Sequence, residues 1–213
     1  MAEVGVAEAA EMLGVSAERV RQLAAAARIP ARRVNSTWLI DASRLDRFRP
    51  VARPLVPRMA FALDAMAEGQ DAELERRDAY RARGLLDRLR ETSDPGALLR
   101  SWMAARATTV TLDAHAPAGL ADDRRILPSG ISAPVARLTG SGAFEGYVAD
   151  IDFEEVRLDH LLLPPTGTGN CVFHVSRERP ERVGRLVVAA DLLERGPGRE
   201  HRRALEIIAE VVA

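Results

Sequence analysis

Four polar side chains crowd one short stretch of this chain, SAERVRQLAA: Glu18, Arg19, Arg21 and Gln22. Wound as a helix, the stretch places Glu18, Arg21, Gln22 and Ala25 opposite Val20 and Leu23, with Arg19 and Arg28 at the flanks. Arg donates twice to a guanine edge, Gln pairs twice with adenine, and a carboxylate accepts from a cytosine amino group. The small Ala25 lets such a helix seat closely in a groove. Shortly after come Arg32 and Arg33 with polar Asn35 and Ser36, types suited to a phosphate or an adjacent minor groove. Together with Ser16, placed to cap the helix, these residues form a candidate surface for double-stranded DNA.

Other candidate chemistry is poorer. Thr166-Gly167-Thr168-Gly169-Asn170 is Gly-rich, but a phosphate loop needs a Lys-Ser/Thr and a following helix. A β-rich run follows instead, so the segment reads as a hairpin turn, and Gly140-Ser141-Gly142 has the same weakness. The cluster Asp150, Asp152, Glu154, Glu155 and Asp159 has the ligand types for a divalent cation, but Asp152 reads better as the cap of a helix whose first turn welcomes carboxylates. His115, His160, His174 and His201 share no ligand spacing. Cys171 and His174 stand three apart in a β-rich run and point to opposite faces, and Asp113 with His115 has no nucleophile nearby. The expectation is no enzyme, no catalytic residue, no metal and no cofactor.

The elements that must position the DNA-facing side chains are readable. Residues 4–13 (VGVAEAAEML) read as a helix with Val6, Ala9, Ala10 and Leu13 on one side, ended by Gly14. Residues 17–27 form the second helix, burying Val20, Leu23, Ala24 and Ala27, and Pro30 blocks its continuation. Ala31–Val34 and Trp38–Ile40 read as strands joined by Asn35-Ser36-Thr37, and Asp41 caps a third helix through Phe48. Two helices, a tight turn and a hairpin make a helix-turn-helix with a wing.

Residues 49–58 (RPVARPLVPR) carry three prolines and read as a semi-rigid linker between a domain at 1–48 and a larger one at 59–213. The larger part opens with helices at 57–67, 71–91 and about 95–107. In these, Met59, Leu63 and Met66, then Leu74, Leu85, Leu86 and Leu89, then Leu98, Leu99, Trp102 and Met103 are the apolar positions. A Glu73–Arg77 pair supports the second helix. Short β-rich runs follow at Thr108–Leu112, Gly146–Ala149, Leu161–Leu163, Cys171–Val175 and Leu186–Val188, with helical stretches near 131–138, 152–159 and 199–212. The fold class is α+β.

The chain has 213 residues and a net charge of −1, which hides an asymmetry. Residues 1–58 hold ten arginines against six acids, and residues 59–213 hold twenty against twenty-five. A balance of +4 joined to one of −5 points to the first part as the one that seeks phosphate. No run approaches a membrane span, no signal-peptide pattern opens the chain, and Cys171 is the only cysteine, so the expected location is cytoplasmic.

Through EAA, LGVS, VRQL, IPARRV and WLI, residues 4–48 resemble the excisionase-like branch of the MerR-type winged helix-turn-helix families. Through RPLVPRMAFALDAM, ILPSGISAPVARL and VVAADLLERGPGREHRRALEII, most of 53–213 resembles the C-terminal module of actinobacterial helix-turn-helix proteins encoded beside nucleotidyltransferase toxins. Those proteins are similar to abortive-infection (AbiE-like) antitoxins. The resemblance implies a repressor of its own operon that opposes a nucleotidyltransferase toxin, with a homodimer as a further expectation. The alternative expectation is a ligand-sensing regulator whose second domain binds a small effector.

Overall fold

In a computed structural model the chain divides into two compact units, Met1–Arg53 and Pro54–Ala213. The structure describes all residues except 1, 2, 14, 26–28, 36, 43, 44, 46–51, 71–73, 139–141, 178 and 179. The division falls within the 49–58 segment; Leu55 is buried, and its N–H donates to the Trp102 carbonyl at 2.9 Å inside the second unit.

The first unit runs β1 (Glu3–Val4), α1 (Val6–Leu13), α2 (Ala17–Ala25), β2 (Ala31–Val34) and β3 (Thr37–Asp41). The three strands form an antiparallel sheet in the order β1-β3-β2. The core gathers Ala9, Ala10, Leu13, Val20, Ala24, Ile29, Ile40 and Leu45, with Val6, Leu23 and Trp38 packed against it. Residues 3 and 4, expected near the start of a helix, are instead a strand: Glu3 and Val4 pair with Asp41 and Ile40, and the helix starts after Gly5. The hairpin is tighter than expected. Val34 pairs with Thr37, and Asn35 takes the left-handed φ of 53° that a two-residue turn requires. Asp41, expected as a helix cap, closes β3 and donates its N–H to the Pro30 carbonyl. Gly14, Ala27 and most of the expected helix through Phe48 lie outside the described residues.

The second unit contains α3 (Pro57–Ala67), α4 (Arg76–Glu91), α5 (Pro95–Met103), β4 (Thr108–Leu112), β5 (Ile126–Pro128), β6 (Phe144–Ala149), α6 (Asp150–Asp159), β7 (Cys171–Ser176), α7 (Arg185–Glu194) and α8 (Arg199–Val212). The sheet order is β4-β7-β6-β5, with β6 and β7 parallel across the α6 connection and the outer pairs antiparallel. Side-chain alternation separates two faces. One is apolar: Leu112, Phe144, Val148, Cys171, Phe173 and Val175 pack with Val156 and Phe153 of α6. The other carries Glu145, Tyr147 and His174 toward α7. The fold is thus α+β, and no helix among the described residues is long and apolar enough to cross a membrane.

Several local expectations differ. Leu186–Val188 is not a strand but the start of α7, whose residues from Leu186 to Leu193 are all buried. A helix apolar on every side has no periodicity to separate it from a buried strand. The stretch 131–138 forms two 3-10 turns, Gly130–Ser132 and Pro134–Ala136, because Pro134 forces Ala133 into extended backbone. Leu161–Leu163 is the exit from α6; Leu161 has φ 50°, and only Leu163 makes a bridge, to Asp113. The strand β5 escaped the sequence reading. The helix expected from residue 71 begins at Arg76, after extended Glu75, and buries Ala82, Leu86 and Leu89; Glu73 of the expected Glu73–Arg77 pair lies outside the described residues. The third helix ends at Met103. The turn at 166–170 joins no hairpin: it returns from α6 into β7.

Candidate nucleic-acid interface

The sequence AERVRQLAA forms α2 because its apolar residues recur at helical spacing and Ser16 ends the preceding turn. The Ser16 Oγ accepts the Arg19 N–H at 3.2 Å, satisfying one of the amides that a helix start leaves free. Val20 and Ala24 face the core, so Glu18, Arg19, Arg21, Gln22 and Ala25 are left exposed together. Within this face the side chains are already tied: Arg21 Nη1 donates to Glu18 Oε2 at 3.0 Å, and Arg19 Nη1 donates to Gln22 Oε1 at 3.3 Å. Each guanidinium has five N–H donors, so one internal bond leaves others for a base edge or a phosphate. Glu18 therefore orients Arg21 as well as opposing phosphate.

The wing carries Arg32, Arg33 and Asn35, all exposed. Arg33 lies opposite Trp38 in the ladder, its guanidinium 5.9 Å from the ring centroid, a cation–π contact that props the side chain outward. Arg32 is held differently. Its Nε and Nη2 both donate to Glu3 at 2.7 Å, and this fork pulls the Glu3 carboxyl below its ordinary range. The Glu3 tie was not foreseen, because β1 itself was not. Arg28 and Ser36 of the expected surface lie outside the described residues.

The acidic cluster is not brought together as a metal site. Asp159 and Glu155 pair with Arg125, Glu154 pairs with Arg157, and Asp150 and Asp152 lie in the first turn of α6. Asp152, expected as the cap, is inside the helix; Ala149 holds the cap position without a side-chain bond. The Cys171 thiol is pushed up to about 11 by burial, which suits an inert core residue.

Among the described residues, Glu145, His174 and Asp191 bring three ligand atoms within 4.8 Å, a juxtaposition that spacing along the chain does not announce. His174 Nε2 is 3.0 Å from Glu145 Oε1 and 3.4 Å from Asp191 Oδ1, and its ring stacks on Tyr147. Arg106 forks onto Asp191 and also bonds Glu194 at 2.6 Å, Arg195 bonds Glu145 at 2.8 Å, and Ser129 and Tyr147 donate to Asp191. The two guanidinium groups supply the positive charge that a cation would bring. Arg106, Arg195 and a protonated His174 balance Asp191, Glu145 and Glu194, so the cluster is a buried ion network joining the sheet to α7. Burial opposes charge on His174, yet Asp191 and the Glu145 bond outweigh it and raise its pKa.

No curated protein and no solved structure matches the chain. A family model described as a helix-turn-helix domain matches residues 4–49, the stretch that holds α1, α2 and the β2–β3 wing. The first unit is a helix-turn-helix domain of the kind that marks a DNA-binding regulator.

Proposed function

We propose that this protein is a sequence-specific transcriptional repressor of duplex DNA, the antitoxin of a toxin–antitoxin pair that represses its own operon. The observation that carries the DNA reading is the exposed α2 face, on which a Ser16-capped helix gathers Glu18, Arg19, Arg21, Gln22 and Ala25. The charge partition supports it: the basic end holds the reading helix, while residues 59–213 have a balance of −5 that disfavours phosphate. The antitoxin role and its nucleotidyltransferase partner rest on the resemblance of residues 53–213 alone. In this reading the second unit performs no catalysis, and its Arg106–Asp191–His174–Glu145 network is structural.

Two measurements on the full chain separate these levels. The protein should shift duplex DNA from upstream of its own gene, with weaker binding to random duplex of equal length at the same salt. Equal binding to both removes the repressor reading. Co-expression with the neighbouring gene should restore growth that the neighbour alone suppresses. A neighbour that is harmless alone, or toxicity that the full chain leaves untouched, removes the antitoxin role and leaves the DNA reading standing.

A further inference from the structure

The two edges of the second unit's sheet are built differently. β5 is three residues long, follows the charged run Asp123-Arg124-Arg125 and ends in Pro128, which has no N–H to offer. Those are the devices that blunt an edge strand. The other edge, β4, is Thr108-Thr109-Val110-Thr111-Leu112, with neither charge nor proline, and among the described residues no strand pairs with its outer side.

The backbone direction of each β4 residue follows from its neighbours. Ala114 exchanges bonds with the Asn170 side chain, and the Leu112 carbonyl accepts from the Asn170 N–H, so even-numbered residues face β7. Asp113 exchanges both backbone bonds with Leu163, at 2.8 and 2.9 Å, on the opposite side. Alternation then turns Thr109 and Thr111 outward, and Leu163 closes the row just beyond them.

This short row is self-complementary. An antiparallel copy centred on Val110 sets Thr109 opposite Thr111 and Thr111 opposite Thr109, and each outward N–H meets an outward carbonyl. Side chains in the pairs are β-branched and uncharged, favourable cross-strand neighbours. Beside the row, Thr108, Val110, Phe153 and Val175 line an open groove of about 360 Å³ that also carries Asp150 and Arg177. Opposite charges in one patch suit a two-fold contact, where each residue meets its counterpart's neighbours. Leu161 and Leu163, 76% and 63% exposed, lie beyond the closed end of the row and would lose water there.

We infer that the outer edge of β4 is a homodimer interface, in which two copies of this chain join their sheets through Thr109 and Thr111 around a two-fold axis at Val110. The inference does not depend on the DNA reading, although a dimer would give a repressor two linked half-site readers.

Sedimentation of the full chain over a dilution series, with amide exchange at each concentration, tests it. The expected mass is that of two chains, falling to one on dilution. The Thr109 and Thr111 amides should lose protection as the mass falls, while the Val110 amide, bonded to β7, stays protected. Thr109→Pro removes one outward N–H, and Val110→Arg sets two like charges across the axis. Both should sediment as single chains with unchanged far-ultraviolet circular dichroism. A chain that is monomeric throughout, including one whose β4 pairs only with a different protein, overturns the inference. So does a dimer that persists in both folded variants. If a variant unfolds, the exchange of Thr109 and Thr111 in the natural sequence decides: protection that does not follow concentration overturns it.

Discussion

The carboxylate of Asp64, on α3, caps a helix that begins 120 residues later: its Oδ2 accepts the Gly184 N–H at 2.7 Å. Its Oδ1 accepts from Leu186 and Val187 at 2.9 and 3.2 Å, and the neighbouring Glu68 takes the Arg185 N–H at 2.7 Å. Two carboxylates of one helix thus satisfy the first amides of another, at the end where the helix dipole favours negative charge. Gly184 is required by this contact. A Cβ there would stand 2.5 Å from Asp64 Oδ2.

Asp64→Ala should destabilise the chain by about 2 kcal/mol or more, since it strands three amides in a buried place. Burial raises the Asp64 pKa from 3.8 to about 6, against the backbone bonds that lower it. The folded state therefore holds this proton more tightly than the unfolded one, so its contribution is full below pH 3.8 and lost as pH rises to about 6. Asp64→Asn should erase that slope in denaturant midpoints measured across the window. An unchanged slope would assign the proton elsewhere.

His174 gives a second, separate window. Because its folded pKa lies above the ordinary 6.5, its stabilising charge is fully present below that pH and lost as pH rises through the folded value. Urea midpoints of the natural chain should fall with alkaline pH, and His174→Gln should remove the fall. The imidazole resonance, followed by NMR, should titrate above pH 6.5.

Base reading and phosphate anchoring should separate by residue on operator DNA. Arg21→Ala is expected to cost roughly 1–3 kcal/mol on the cognate duplex and relax preference at one position. Arg33→Ala should weaken cognate and random duplexes alike and flatten the logarithmic salt dependence by about one unit. Equal losses on both duplexes for Arg21→Ala would contradict the α2 face as the reading surface.

Glu3→Gln tests whether the fork on Arg32 restrains DNA binding. Released from Glu3, Arg32 should raise affinity for any duplex and steepen the salt dependence by about one counterion. Unchanged affinity with an unchanged slope would place Arg32 away from the backbone.

Local chemistry in the sequence was enough for the reading helix. The Val20/Leu23/Ala24 stripe, Ser16 before it and Pro30 after it are short-range signals, and they determined which side chains of α2 face outward. The same holds for α6 and α8, where periodicity and capping are local. Tertiary structure decided what local signals do not carry. The two-residue β1 exists only because β3 offers it a partner, and with it came the Glu3 tie that occupies Arg32. α7 is apolar on every side, so only its burial among α3, α5 and α8 made it a helix and not a strand. Arg106, Glu145, His174 and Asp191 stand far apart in the chain, and each alone reads as an ordinary polar residue. Folding brought them into one water-poor place, where a charge is tolerated only beside its opposite, and that cost of burial is what joined them.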